Sequence, residues 1–254
     1  MVFYDLRDKI KRYFWFTPEE MRGFFITVLI IAFMFSFRDW GDKEFNFILG
    51  FYNFFNALLI VLLSLLVHES AHRIAGLQIG FRVEYKGWFV GLIIGLVLTF
   101  ITNGNFWFFI ASGGIFLHHL AQHRLGYFRY GINMWAQAGI CFWGILVTLL
   151  LASFFKAMLL IMPNNVSLYK AMVFNVVLAL FSLVPIPPLD GSRIFFGNMY
   201  LYFVTVIITV LFTIMLLLTK ANVLWWLFAG IIFLLALLYT YYLLYERLGV
   251  GKFG

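Results

Sequence analysis

His68-Glu69-Ser70-Ala71-His72 carries the pattern H-E-x-x-H. On a helix the two histidines stand one turn apart on the same face, so both imidazoles can hold one Zn²⁺. Glu69 lies beside the first of them, within reach of a water on the metal as a general base. The bland reading of the same residues is a pair of histidines contacting each other across helices. Two ligands leave such a centre incomplete, because a catalytic zinc takes three protein ligands and keeps one position open. The candidate third ligand is Asp190, in Pro185-Ile186-Pro187-Pro188-Leu189-Asp190-Gly191. Prolines remove backbone donors and end a helix, which lets a carboxylate turn inwards. Gly191 permits either close backbone approach or a positive φ. An aspartate that merely opens a cytoplasmic turn is the alternative.

The elements that must position these groups are hydrophobic spans. The chain has 254 residues, of which 64% are hydrophobic and 11% charged. A soluble domain carries about 25% charged residues, so this composition points to an integral, multi-pass membrane protein. The lone cysteine, Cys141, excludes an internal disulfide. A net charge of +7 in so apolar a chain reflects basic segments facing anionic lipid, not nucleic acid. Apolar runs over 23–38, 47–76, 135–161, 168–189, 197–219 and 223–245 predict an all-α polytopic fold with about six transmembrane helices. Residues 1–22 read as an interfacial basic amino-terminal segment and 23–38 as the first span. Residues 47–195 form a core of three spans, and 196–254 hold two carboxy-terminal spans and a short tail. Within the core, 81–133 is rich in aromatics and glycine and is interrupted by Asn103-Gly104-Asn105. It predicts a small membrane-associated strand or re-entrant segment between the second and third helices, with a full further span through 88–110 as the alternative. Most of the Lys and Arg residues fall in segments that place both termini in the cytoplasm. His68 then lies towards the inner end of its span, with water reaching it past the flanking Arg73.

Of the 11 Asp and Glu residues, only Glu69 and Asp190 fall within or against apolar spans; the rest, Glu20 among them, fall in termini or connecting segments. A charge near the bilayer centre costs at least about 2.5–3.5 kcal/mol on insertion scales, so such residues have a partner or a function. One metal ion would answer for both.

An HExxH on an early span, followed much later by a proline-rich L-D-G at the end of another, resembles the site-2 protease family of intramembrane metalloproteases. The likeness is densest over Asn175–Arg193 and extends more broadly over 47–195. The resemblance implies one catalytic Zn²⁺ held by His68, His72 and Asp190, with Glu69 as catalytic base. It also implies strands between the first two core spans, a prokaryotic cell membrane as the location, and regulated intramembrane proteolysis of a single-span membrane-protein substrate. Two departures stand out. Where the family has Asn three residues before the first proline, this chain has Ser182; Ser182 and Asn175 are the candidates for orienting substrate or the oxyanion. The family's G-P-x-x-N element is also altered, since Ala138-Gly139-Ile140 lacks the proline and Trp143 stands at the place of the Asn. Competing readings are a catalytically weak or silent relative that binds membrane helices, and a metal transporter. The second is disfavoured because the other spans offer almost no polar path. His118, His119 and His123 form a further cluster, with helical spacing between His119 and His123; a solvated basic loop is the plainer reading.

Overall fold

The computed structural model describes residues 2–41, 44–120 and 134–218. Helix α1 (Val2–Tyr13) leads into α2 (Pro18–Ser36), which starts with a reciprocal cap. The Glu20 amide donates to Thr17 Oγ1 at 3.3 Å, and the Thr17 amide donates to Glu20 Oε2 at 2.7 Å. This satisfies helix-end donors, and Pro18 supplies the φ that a first turn needs. Asn46 caps α3 (Phe47–Ile79), a helix of 33 residues that ends at Gly80 in the left-handed conformation, φ 95°. At 1.5 Å per residue α3 is about 50 Å long, well beyond the roughly 30 Å of bilayer hydrocarbon.

Strand β1 (Phe81–Gly87), helix α4 (Phe89–Ile101) and strand β2 (Gly113–His119) follow. The strands pair antiparallel, Phe81 opposite His119 and Gly87 opposite Gly113. Alternation sorts the sheet by face. Phe81, Val83, Tyr85, Ile115 and Leu117 are buried, while Phe116 and His118 are exposed and Arg82 and Glu84 half-buried. Glu84 meets Arg82 at 3.2 Å and His118 at 3.1 Å on that outer face. The region 81–119 is thus two strands bridged by a short apolar helix. With 13 residues, α4 reaches only about 20 Å, so the alternative of a full span through 88–110 is not met. His119 closes β2, and His123 lies outside the described residues.

The remaining helices are α5 (Met134–Ile161), α6 (Val166–Ser182), α7 (Asp190–Gly197) and α8 (Met199–Leu218). Among the described residues, α3, α5 and α8 are long and apolar enough to cross a membrane. The expected spans 23–38 and 168–189 come out shorter in apolar length. Glu19, Glu20 and Arg22 occupy the first turns of α2, and α6 stops at Ser182 ahead of the prolines after 17 residues. The expected run 223–245 lies outside the described residues. Helix α5 is central, packing against α3, α6, α7 and α8. Its buried Ile140, Ile145, Leu149 and Ala152 join residues of α6, α8 and the sheet in one hydrophobic core.

Candidate metal centre

Two helices and one loop meet at the H-E-x-x-H turn. His68 and His72 face α5, and both are almost fully buried. The third element is the loop after α6. Its turns close through Val184 N to Phe181 O at 3.0 Å and Leu189 N to Ile186 O at 2.9 Å. Asp190 is the first residue of α7 and is 5% exposed. Gly191 explains the tightness of the corner: a Cβ there would overlap the carbonyls of Leu183 and Val184. Of the two roles open to Gly191, close backbone approach is the one observed. Arg193, one turn on, donates to Gln137 Oε1 at 3.2 Å and to the Ile115 carbonyl, tying α7 to α5 and β2.

The donor atoms converge. His68 Nε2 and Asp190 Oδ2 are 3.0 Å apart, the two Nε2 atoms 3.0 Å, and His72 Nε2 and Asp190 Oδ2 3.3 Å. The His72 Nδ1 lies 3.0 Å from the Ile140 carbonyl. A carbonyl only accepts, so His72 carries a proton on Nδ1 and turns Nε2 towards the carboxylate. Three possible ligand atoms thus stand within 3.3 Å of one another in a buried pocket. The buried His68, His72 and Asp190 form a group that could bind a metal ion. Two imidazoles and a carboxylate make a set that suits a divalent ion of intermediate softness. Glu69 is 3% exposed, and its Oε2 is buried without a hydrogen-bond partner among the described residues. Such an orphaned acceptor is rare in a finished core and needs an explanation.

Ser182 and Asn175 both lie on α6. Ser182 is buried at the end of α6. Asn175 Nδ2 donates to Ser64 Oγ at 2.9 Å and to the Ala171 carbonyl at 2.8 Å, which pins α6 to α3 one turn before His68. His118 sits on the outer face of the sheet, bonded to Glu84.

Two features go against expectation. Arg73 does not open a water path, and Glu20 is not a surface acid; they are 2% and 6% exposed and form an ion pair with each other. Arg73 also reaches the Phe14 and Trp15 carbonyls and lies 3.8 Å over the Phe16 ring. Glu20 accepts from the Tyr85 amide at 2.7 Å. The residues missed altogether lie on α5. Gly144 is one, since a Cβ there would overlap the His72 ring. Thr148 is another, with Oγ1 at 2.8 Å from His68 Nδ1. Their one available signal was the four-residue spacing of Ile140, Gly144 and Thr148 on an otherwise bulky helix.

The chain matches no protein-family profile, no curated protein and no solved structure.

Proposed function

We propose that this chain is an intramembrane zinc metalloprotease that hydrolyses peptide bonds in or near the transmembrane segment of a single-span membrane protein. The observation that carries the reading is the buried convergence of His68, His72 and Asp190 beside the unpartnered Glu69 Oε2. His68, His72 and Asp190 would hold one Zn²⁺. When bound, zinc lowers the pKa of a water to about 7 and polarises a carbonyl. Glu69 takes the proton of the attacking water on its free carboxylate oxygen and returns it to the leaving amine nitrogen. The buried face of α5, with Leu183 and Leu189 of the loop, excludes bulk water and holds Asp190 in register. An apolar cavity of about 370 Å³ lies alongside the same turn, lined by Ser70, Ala71, Ile74 and Trp143, and suits an apolar segment. The Lys and Arg distribution favours a multi-pass topology with both termini cytoplasmic. The polar outer face of the sheet, at the end of α3 that carries His72, agrees with that side.

The test is reconstitution of the purified chain with a transmembrane reporter peptide. Expected is zinc-dependent cleavage, reduced about 10²–10⁴-fold by Glu69→Gln, which keeps the metal. Asp190→Ala is expected to lose the metal. Zinc bound without any cleavage would favour a silent, helix-binding relative, and cleavage surviving Glu69→Gln would refute the assigned base.

A further inference from the structure

Helix α5 presents Ile140, Gly144 and Thr148 to α3 at successive turns, and each of the three meets an imidazole of the candidate centre or the bond network behind it. The Ile140 carbonyl settles the proton of His72, as above. The His68 proton depends on Thr148. Thr148 Oγ1 lies 2.9 Å from the Gly144 carbonyl and 2.8 Å from His68 Nδ1, and all three groups are buried. A hydroxyl has one proton and two lone pairs. The Gly144 carbonyl can only accept, so both contacts are hydrogen bonds only if the Thr148 proton goes to it. Thr148 Oγ1 is then left as an acceptor, and the contact with His68 is a hydrogen bond only if Nδ1 carries the proton. His68 Nε2 is then the nitrogen turned towards Asp190, as in His72. Both rings are held in that orientation by one face of α5.

We propose that Thr148 is a positioning residue: by accepting from His68 Nδ1 it fixes the ring angle and leaves Nε2 as the nitrogen that takes a metal. This inference rests on the reading of His68, His72 and Asp190 as metal ligands. Partners behind a ligating histidine are worth about 10–100-fold in metal affinity. Gly144 makes the arrangement sterically feasible, because only a residue without a side chain lets α5 come close enough for Thr148 to reach across. The hydroxyl has a helix-internal bond of the usual kind, to the carbonyl four residues back, and a merely structural role would end there. Valine and serine separate the two roles: valine keeps the volume and removes the acceptor, while serine keeps the acceptor.

The experiment uses the full chain in detergent or lipid discs, stripped of metal and titrated with Zn²⁺ against a chelator of known affinity. Thr148→Val is expected to bind Zn²⁺ about 10–100-fold more weakly than the parent, with the metal-free protein still folded. Thr148→Ser should bind within about threefold of the parent, since it keeps the acceptor that orients the ring. Parent-like affinity in a folded Thr148→Val protein would overturn the assignment, and so would equal weakening by serine and valine. If the valine variant does not fold, Thr148→Ala replaces it in the comparison with serine. A parent chain that binds no Zn²⁺ would refute this inference and the proposed function together. One that binds Zn²⁺ in the expected order of variants but cuts no reporter would refute the protease alone.

Discussion

His72 and Arg73 are neighbours on α3, yet they open onto two buried polar clusters of opposite character. Around Arg73 every strong group is answered. The guanidinium meets Glu20, two backbone carbonyls and the Phe16 ring, and the Glu20 carboxylate takes the Thr17 and Tyr85 amides besides. Around His72 the ligand atoms of His68, His72 and Asp190 crowd together, and Glu69 keeps a buried oxygen with no partner among the described residues. Burial costs both clusters solvation. The first recovers it internally, which is what a joint between α1, α2, β1 and α3 needs. The second leaves Glu69 Oε2 unanswered and sets three possible ligand atoms side by side. The two clusters differ in pairing, not in burial.

Substitutions should push the two clusters in opposite directions. The largest effect is expected from Arg73→Met, which strands Glu20 in the interior and should cost about 3–5 kcal/mol of unfolding free energy. Removing both partners, as in Glu20→Leu with Arg73→Met, should restore most of that loss in denaturant titrations. In the metal-free protein Glu69→Gln should instead stabilise, by about 0.5–2 kcal/mol, because Glu69 Oε2 has no hydrogen bond among the described residues to lose. A destabilised Glu69→Gln protein would show that Glu69 has a structural partner after all.

The smallest effect is one of pH. Glu20 lies ahead of the apolar run of α2. Burial pushes its pKa up, but the Thr17 and Tyr85 amides and the Arg73 charge outweigh burial and hold the carboxyl below its ordinary value. A lowered folded-state pKa gives stability that is present above the unfolded-state value and lost as pH falls through the folded one. The stability difference between the parent and Glu20→Gln should therefore be constant above about pH 5 and shrink below it. A difference that grows in acid would reverse the sign.

The contrast also explains what the sequence made legible. Glu69 and Asp190 stood out because they are charges in apolar surroundings, and the H-E-x-x-H spacing ties two donors to one helix face. The end of α6 was written in Pro185, Pro187 and Pro188. Glu20 escaped notice because an acid in a first helical turn is ordinary on a surface, and its burial depends on Arg73, 53 residues away. The α5 face escaped for a different reason. A backbone carbonyl, a glycine and a threonine carry no charge, and their role exists only once α3 and α5 are in contact. The sheet was anticipated as strands or a re-entrant piece because glycine and aromatics broke the apolar run. Its register could not be read from a stretch with so little strict alternation outside β1.

The overlap that a Cβ at Gly144 would make with the His72 ring has a practical consequence. With no side chain on α5 at that level, the imidazole itself is the spacer that keeps the two helices apart. Truncating His72 would therefore remove a donor and open a void between α3 and α5 at once, and the neighbours would relax only in part. Loss of metal in a His72 variant would confound chemistry with collapse. Asp190 stands at the edge of a loop held by its own backbone, so its variants are the cleaner measure of what the carboxylate alone contributes.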